Sequence, residues 1–143
     1  MSIFDPSKSP WTGRMLAILR IAVGLTFVST GTMILFNYPK SPVPIPAFDL
    51  LSQTSIGGIL QTFGGLAIAF GFLTRPVAFV LAGEMAVAYF QFHFPNGFFP
   101  GLNGGQPAVL YCFIFLYLVF AGAGPWSVDA WIARRRSRRI AAP

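Results

Sequence analysis

Charge is scarce in this sequence. Only 10% of its 143 residues are Asp, Glu, Lys or Arg, against roughly 25% in a water-soluble domain. That shortage excludes an ordinary water-facing surface. Cysteine is scarcer still: Cys112 stands alone, so no intrachain disulfide forms. His93 is the only histidine, so no Cys/His zinc spacing exists and no metal is expected. There is no haem-ligand pair, flavin fingerprint or dithiol. No early apolar core leads to a small-residue cleavage site, so the first apolar run reads as a retained span. The formal net charge of +6 hints at nucleic acid, but no nucleic-acid module surrounds the basic cluster.

What is present is apolar length. Hydrophobic residues make up 55% of the chain, and mean hydropathy is +0.65. Four segments suit helices across a bilayer, whose hydrocarbon core takes roughly 20 helical residues. They lie at about residues 14–36, 56–73, 77–94 and 108–123. Residues 1–13 form a lead-in, and residues 124–143 form a basic tail. Pro39, Pro42, Pro44 and Pro46 keep the first long loop extended. Thr74-Arg75-Pro76 reads as a tight turn, with Pro76 opening the third helix. An uncharged Gly/Asn/Phe loop follows at 95–107. Gly124-Pro125 stops the last span, and Ser127 is placed to cap a final basic helix.

Positive charge sets orientation. With four spans, Lys8, Arg14, Arg20, Arg75 and the arginines at 134, 135, 136, 138 and 139 share one side, leaving Lys40 on the other. The expected fold is therefore an all-α, integral membrane four-helix bundle with both termini cytoplasmic. Its C-terminal helix is amphipathic and interfacial. Arg134, Arg135, Arg136, Arg138 and Arg139 would meet anionic lipid, with Trp126 and Trp131 at the boundary.

Helices in lipid associate through close packing of small residues. Gly24 and Gly31 are seven apart in the first span. Gly57, Gly64 and Gly71 repeat at that interval in the second, with Gly58 and Gly65 alongside. Polar residues on these faces are expected to be buried. Arg20 and Glu84 have opposite charge and similar reckoned depth, so a buried ion pair is expected between them. That pair serves either helix register alone or proton and anion chemistry. A second group, Gln61, His93, Asn103, Gln106 and Tyr111, gathers toward the other face as a candidate outer polar pocket. There His93 would carry protons and the amides would bond a carbonyl. The bland alternative is an interfacial histidine with loop amides that satisfy turn backbone. Cys112 reads as a small buried hydrophobe.

A spaced set of residues runs through all four spans. It comprises Arg20, Gly24, Phe27 and Gly31; Gly64-Gly65 with Gly71, Thr74 and Arg75; Met85, Ala88 and His93; Asn103-Gly104-Gly105 and Tyr111; and Gly122, Gly124-Pro125, Ser127 and Asp129. In this set the chain resembles the DoxX family of small four-helix bacterial membrane proteins. The resemblance implies an inner-membrane location and association with quinone- or thiol-linked redox systems. Three positions depart from the family pattern. Thr32-Met33-Ile34 replaces a lysine-bearing segment, and Gln61 and Gln106 stand where acids are common. Binding survives those changes better than acid–base catalysis does. The expected role is thus a non-catalytic accessory subunit of a membrane redox system, with quinone as the cofactor class the resemblance admits. An enzyme acting alone is disfavoured. A structural or assembly subunit beside other membrane proteins, or a homo-oligomer, is the alternative. Small-solute transport lacks the inverted repeats that usually mark it.

Overall fold

A computed structural model describes residues 11–42 and 44–140. Most of the lead-in, with Lys8, lies outside the described residues. Among them the regular structure is entirely helical. Helix α1 (Trp11–Phe36) is one unbroken run of 26 residues. Helix α2 (Gln53–Ile59) continues through a π-helical turn (Leu60–Gly64) into α3 (Gly65–Phe70). Helix α4 (Thr74–Ala88) continues through a second π-helical turn (Tyr89–His93) and a 3-10 turn (Phe94–Asn96). Short α5 (Pro100–Asn103) precedes α6 (Gln106–Ala121), and α7 (Val128–Ile140) ends the described chain.

Two of these runs, Trp11–Phe36 and Thr74–Asn96, are long and apolar enough to cross a membrane. The α6 helix, at 16 residues, is apolar but shorter. The distribution of polarity supports a lipid solvent. Phe63, Phe70, Phe79, Phe113 and Phe120 point outward, each at least 65% exposed, while Arg20, Ser55, Gln61, Thr62 and Thr74 are buried. A soluble domain puts its large apolar groups inside. Here the perimeter is apolar and the polar groups are enclosed, as a hydrocarbon solvent requires.

Close backbone approach joins α1 to the α2–α3 run. A Cβ on Gly24 would lie 2.5 Å from Ala69 N and 2.7 Å from Gly65 O, and one on Gly31 would lie 2.8 Å from Gly58 O. Gly24 and Gly31 thus interlock with Gly65 and Gly58. Gly57 and Gly64 turn toward α4 instead, against Glu84 and Leu81. Helix α4 packs mainly on α6. Between these two helix pairs sits an apolar core of Val23, Phe27, Ile68, Leu81, Met85, Phe115 and Leu118. Phe27 meets Phe115 edge-on at 4.8 Å between ring centroids.

The hinge between α3 and α4 differs from the expected one. The turn is Gly71–Leu73, not Thr74–Pro76. Gly71 takes the left-handed conformation (φ +69) that closes a helix C-terminus, and Phe72 N–H bonds back to Ala67 O at 2.9 Å. Thr74, Arg75 and Pro76 then form the first turn of α4, where proline's missing N–H costs nothing. The carboxylate of Asp129 caps that turn from far along the chain. It accepts from Leu73 N and Thr74 N, each at 2.9 Å. The first residues of α7 therefore dock on the hinge. Ser127 does cap α7, accepting from Ala130 N at 3.1 Å. The α2 helix also starts earlier than expected, because Ser52 caps it and accepts from Ser55 N at 3.2 Å.

Candidate functional site

Two buried polar centres occupy the interior, and they do not touch. Arg20 is fully buried, and four of its five guanidinium N–H donors go to backbone carbonyls. Nε donates to Ala123 O at 2.8 Å, and Nη2 donates to Trp126 O at 2.6 Å. Nη1 donates to Ile68 O and Ala69 O, both at 2.5 Å. Ile68 and Ala69 lie at the end of α3, Ala123 just past α6 and Trp126 before α7; helix ends leave acceptors unmatched, although Ile68 O also accepts from Gly71 N at 3.0 Å. The planar fork of five N–H donors suits several carbonyls at once. Arg20 therefore ties α1, α3 and the segment before α7 into one knot.

Glu84 lies elsewhere. Its Oε1 accepts from Gln61 Nε2 at 2.7 Å. The expected Arg20–Glu84 ion pair is thus absent, and the reason is axial position. Arg20 bonds the α2–α3 run at Ile68, whereas Glu84 bonds it at Gln61. Seven helical residues separate those points, roughly 10 Å at 1.5 Å per residue. The Arg20 side chain also leans toward the start of α1, as helical side chains do. Arg20 thus reaches the hinge end while Glu84 stays deeper.

Gln61 and Glu84 form part of the wall of a cavity of about 740 Å³ between the α2 and α4 runs. Ile34, Ile56, Leu60, Val80, Val87 and Phe92 supply apolar lining, with Gln53 and His93 at the polar edge. A mostly apolar cleft with a few converging polar groups is the usual form of a small-molecule site. Both π-helical turns border it, one carrying Gln61 and the other Phe92 and His93. Such turns recur at functional sites, because the extra residue re-aims side chains. Gln53 also bonds Gln91 across the two runs.

The expected outer pocket is divided by the fold. Gln61 and His93 share the cavity. Asn103 holds the loop: its Nδ2 donates to Gly97 O at 2.6 Å, and its Oδ1 accepts from Gly105 N at 2.8 Å. His93 Nδ1 is 3.2 Å from Asn103 O. Gln106 is exposed at the start of α6 and does not line the cavity. Tyr111 packs edge-on to Phe27 at 5.0 Å, half-buried against the core. Glu84, Gln53 and the two π turns are what the sequence reading left out of the pocket. Glycine at position 57 was the available signal. Its missing Cβ makes room for Glu84 Oε1, which would lie 3.3 Å from a Cβ there.

At the hinge end, Arg134, Arg135, Arg136, Arg138 and Arg139 are all exposed on α7. The Arg135 guanidinium lies over the Trp131 ring at 3.9 Å. Trp126 and Trp131 are about half exposed beside them, at 55% and 48%.

A DoxX family model matches residues 15–94. An uncharacterized protein of Haemophilus influenzae is 38% identical over 117 residues, covering 80% of this chain and 87% of that protein. The inner membrane protein YqjF of Escherichia coli is 29% identical over 125 residues, covering 82% of this chain and 92% of its own length. No solved structure matches.

Proposed function

The chain belongs to the DoxX family, and from that premise we propose that it is an accessory, non-catalytic subunit of a redox system in the bacterial inner membrane. Residues 14–123 form its four-span unit. Both termini and the α3–α4 hinge face the cytoplasm, because Arg75 and the α7 arginines lie at one end and Lys40 follows the opposite end of α1. Residues 124–143 form the interfacial tail, with arginines among anionic headgroups and Trp126 and Trp131 at their border. The carrier it serves is lipid-soluble and quinone-like, or a thiol system that reaches it through a partner.

One observation carries this reading: the apolar cavity with Gln61, Glu84 and His93 in its wall. Its lining suits a lipid-soluble guest, and its polar groups suit a guest with polar ring substituents. The role is accessory because, among the described residues, the cavity wall holds no second acid to complete an acid–base pair with Glu84, and Gln61 offers only hydrogen bonds. Extraction of the purified protein should yield bound quinone, and deletion should slow quinol oxidation by membranes. Failure of both sinks the redox reading.

A second reading is a purely structural subunit packed against a larger membrane complex or another copy. The saturated Arg20 knot and the glycine-to-backbone contacts favour it, since they make a rigid scaffold with an apolar perimeter. Native mass measurement separates the two readings: a lone monomer that retains quinone excludes the structural one.

A further inference from the structure

The Gln61–Glu84 pair has an unmet hydrogen-bonding demand of one kind. Gln61 Nε2 donates to Glu84 Oε1. The remaining oxygens, Gln61 Oε1 and Glu84 Oε2, are both buried and without a partner. Gln61 itself is only 7% exposed. An ionised carboxylate would leave two buried acceptors on one bonded pair and no donor for either, an arrangement native interiors avoid.

Among the described residues no cation compensates. The Arg20 guanidinium is committed to four carbonyls at the hinge end. Arg75 is exposed near Phe120 O. On the cavity wall, α1 contributes Ile34, α2 contributes Gln53, Thr54, Ile56 and Gly57, and α4 contributes Val80, Val87 and Ala88 beside Glu84. His93 is the other titratable side chain there, and its Nδ1 is turned to Asn103 O. A charged carboxylate in such surroundings is strongly disfavoured.

We infer that Glu84 is held as the neutral acid, closed on Gln61 in a two-bond acid–amide ring, and so forms a proton-holding site on the cavity wall. A single proton on Oε2 makes that atom a donor. Gln61 Oε1, on the amide that already donates to this carboxyl, is its acceptor. One change satisfies both orphaned oxygens. A neutral pair adds no charge to the cavity wall, which fits an uncharged apolar guest, and it offers that guest an exchangeable proton. The inference rests on the membrane placement of the α2 and α4 runs proposed above.

Infrared difference spectroscopy of the full chain in lipid nanodiscs, unaltered protein against Glu84→Gln in neutral buffer, tests it. The expected result is a protonated-carboxyl carbonyl band that moves in D2O and vanishes in Glu84→Gln. In Gln61→Leu the band should rise in frequency, because both ring bonds are lost. If that variant does not assemble, the wild-type band decides: a ring-bonded acid absorbs below a free one. Carboxylate stretches in place of the acid band overturn the inference, and an acid band at the free-acid frequency overturns the ring. Recovery of the chain in the soluble fraction would instead defeat the membrane reading. A carboxylate band in a membrane-inserted chain defeats the proton site alone.

Discussion

The Arg20 knot and the Gln61–Glu84 pair are both buried polar centres, yet they have opposite hydrogen-bond balances. Arg20 finds four carbonyls and is not among the residues lining the cavity between the α2 and α4 runs. The pair makes one internal bond, keeps two oxygens unpartnered and borders the cavity. A saturated centre resists change and suits a scaffold. An unsaturated one beside a cleft has a proton to take up before its balance closes. Carrying an ionisable side chain in a polar interior does not separate the two; the count of partners does.

Substitutions can break or sharpen this contrast. Arg20→Met should have the largest effect. It removes every donor and strands the carbonyls of Ala69, Ala123 and Trp126, Ile68 O keeping its bond from Gly71 N, at roughly 1–3 kcal/mol each before relaxation. We expect a loss of about 4 kcal/mol or more in reversible unfolding in mixed micelles, or failure to assemble. Arg20→Lys should recover only part, because an ammonium has three donors and no fork. Gly24→Ala comes next. Its methyl would meet the Ala69 and Gly65 backbone, so overpacking should cost about 2 kcal/mol. Gly83→Ala is the control: nothing lies within 4 Å of a Cβ there. It should be neutral or raise stability by up to ~1 kcal/mol through helix propensity. Asp129→Ala should cost about 1 kcal/mol as the α4 cap is lost, and should speed hydrogen exchange at Leu73 and Thr74. Glu84→Gln should be smallest in stability, within about 0.5 kcal/mol, since a second amide keeps the size and hydrogen-bonding capacity of a neutral acid.

Much of the scaffold was legible in the sequence. Apolar length located the four long helical runs to within a few residues, and the seven-residue glycine spacing marked the α1 interface. Orientation by charge remains a proposal, because it depends on a membrane and not on packing. The partners of Arg20 were not legible. They are backbone carbonyls, which every residue possesses, and only the path of the chain after α6 brings Ala123 and Trp126 to it. Asp129 was hidden for the same reason: its targets are N–H groups more than 50 positions away in sequence. The site was half legible. Gln61 and His93 were placed together, but Glu84 was assigned to Arg20 because depth was counted from assumed helix ends. The π turns at Leu60–Gly64 and Tyr89–His93 have no sequence signature, yet they rotate Gln61 and His93 relative to a regular helix. Tyr111 looked like a pocket residue because its hydroxyl is polar, while its ring belongs to the Phe27–Phe115 cluster.

The most direct test is the unfolding free energy of Arg20→Met and Glu84→Gln, measured side by side in the same lipid mixture. If Arg20 is scaffold and the Glu84 pair is site, Arg20→Met loses about 4 kcal/mol or more and Glu84→Gln stays within about 0.5 kcal/mol of the unaltered chain. Comparable losses in both variants, or a stable Arg20→Met, would contradict that division.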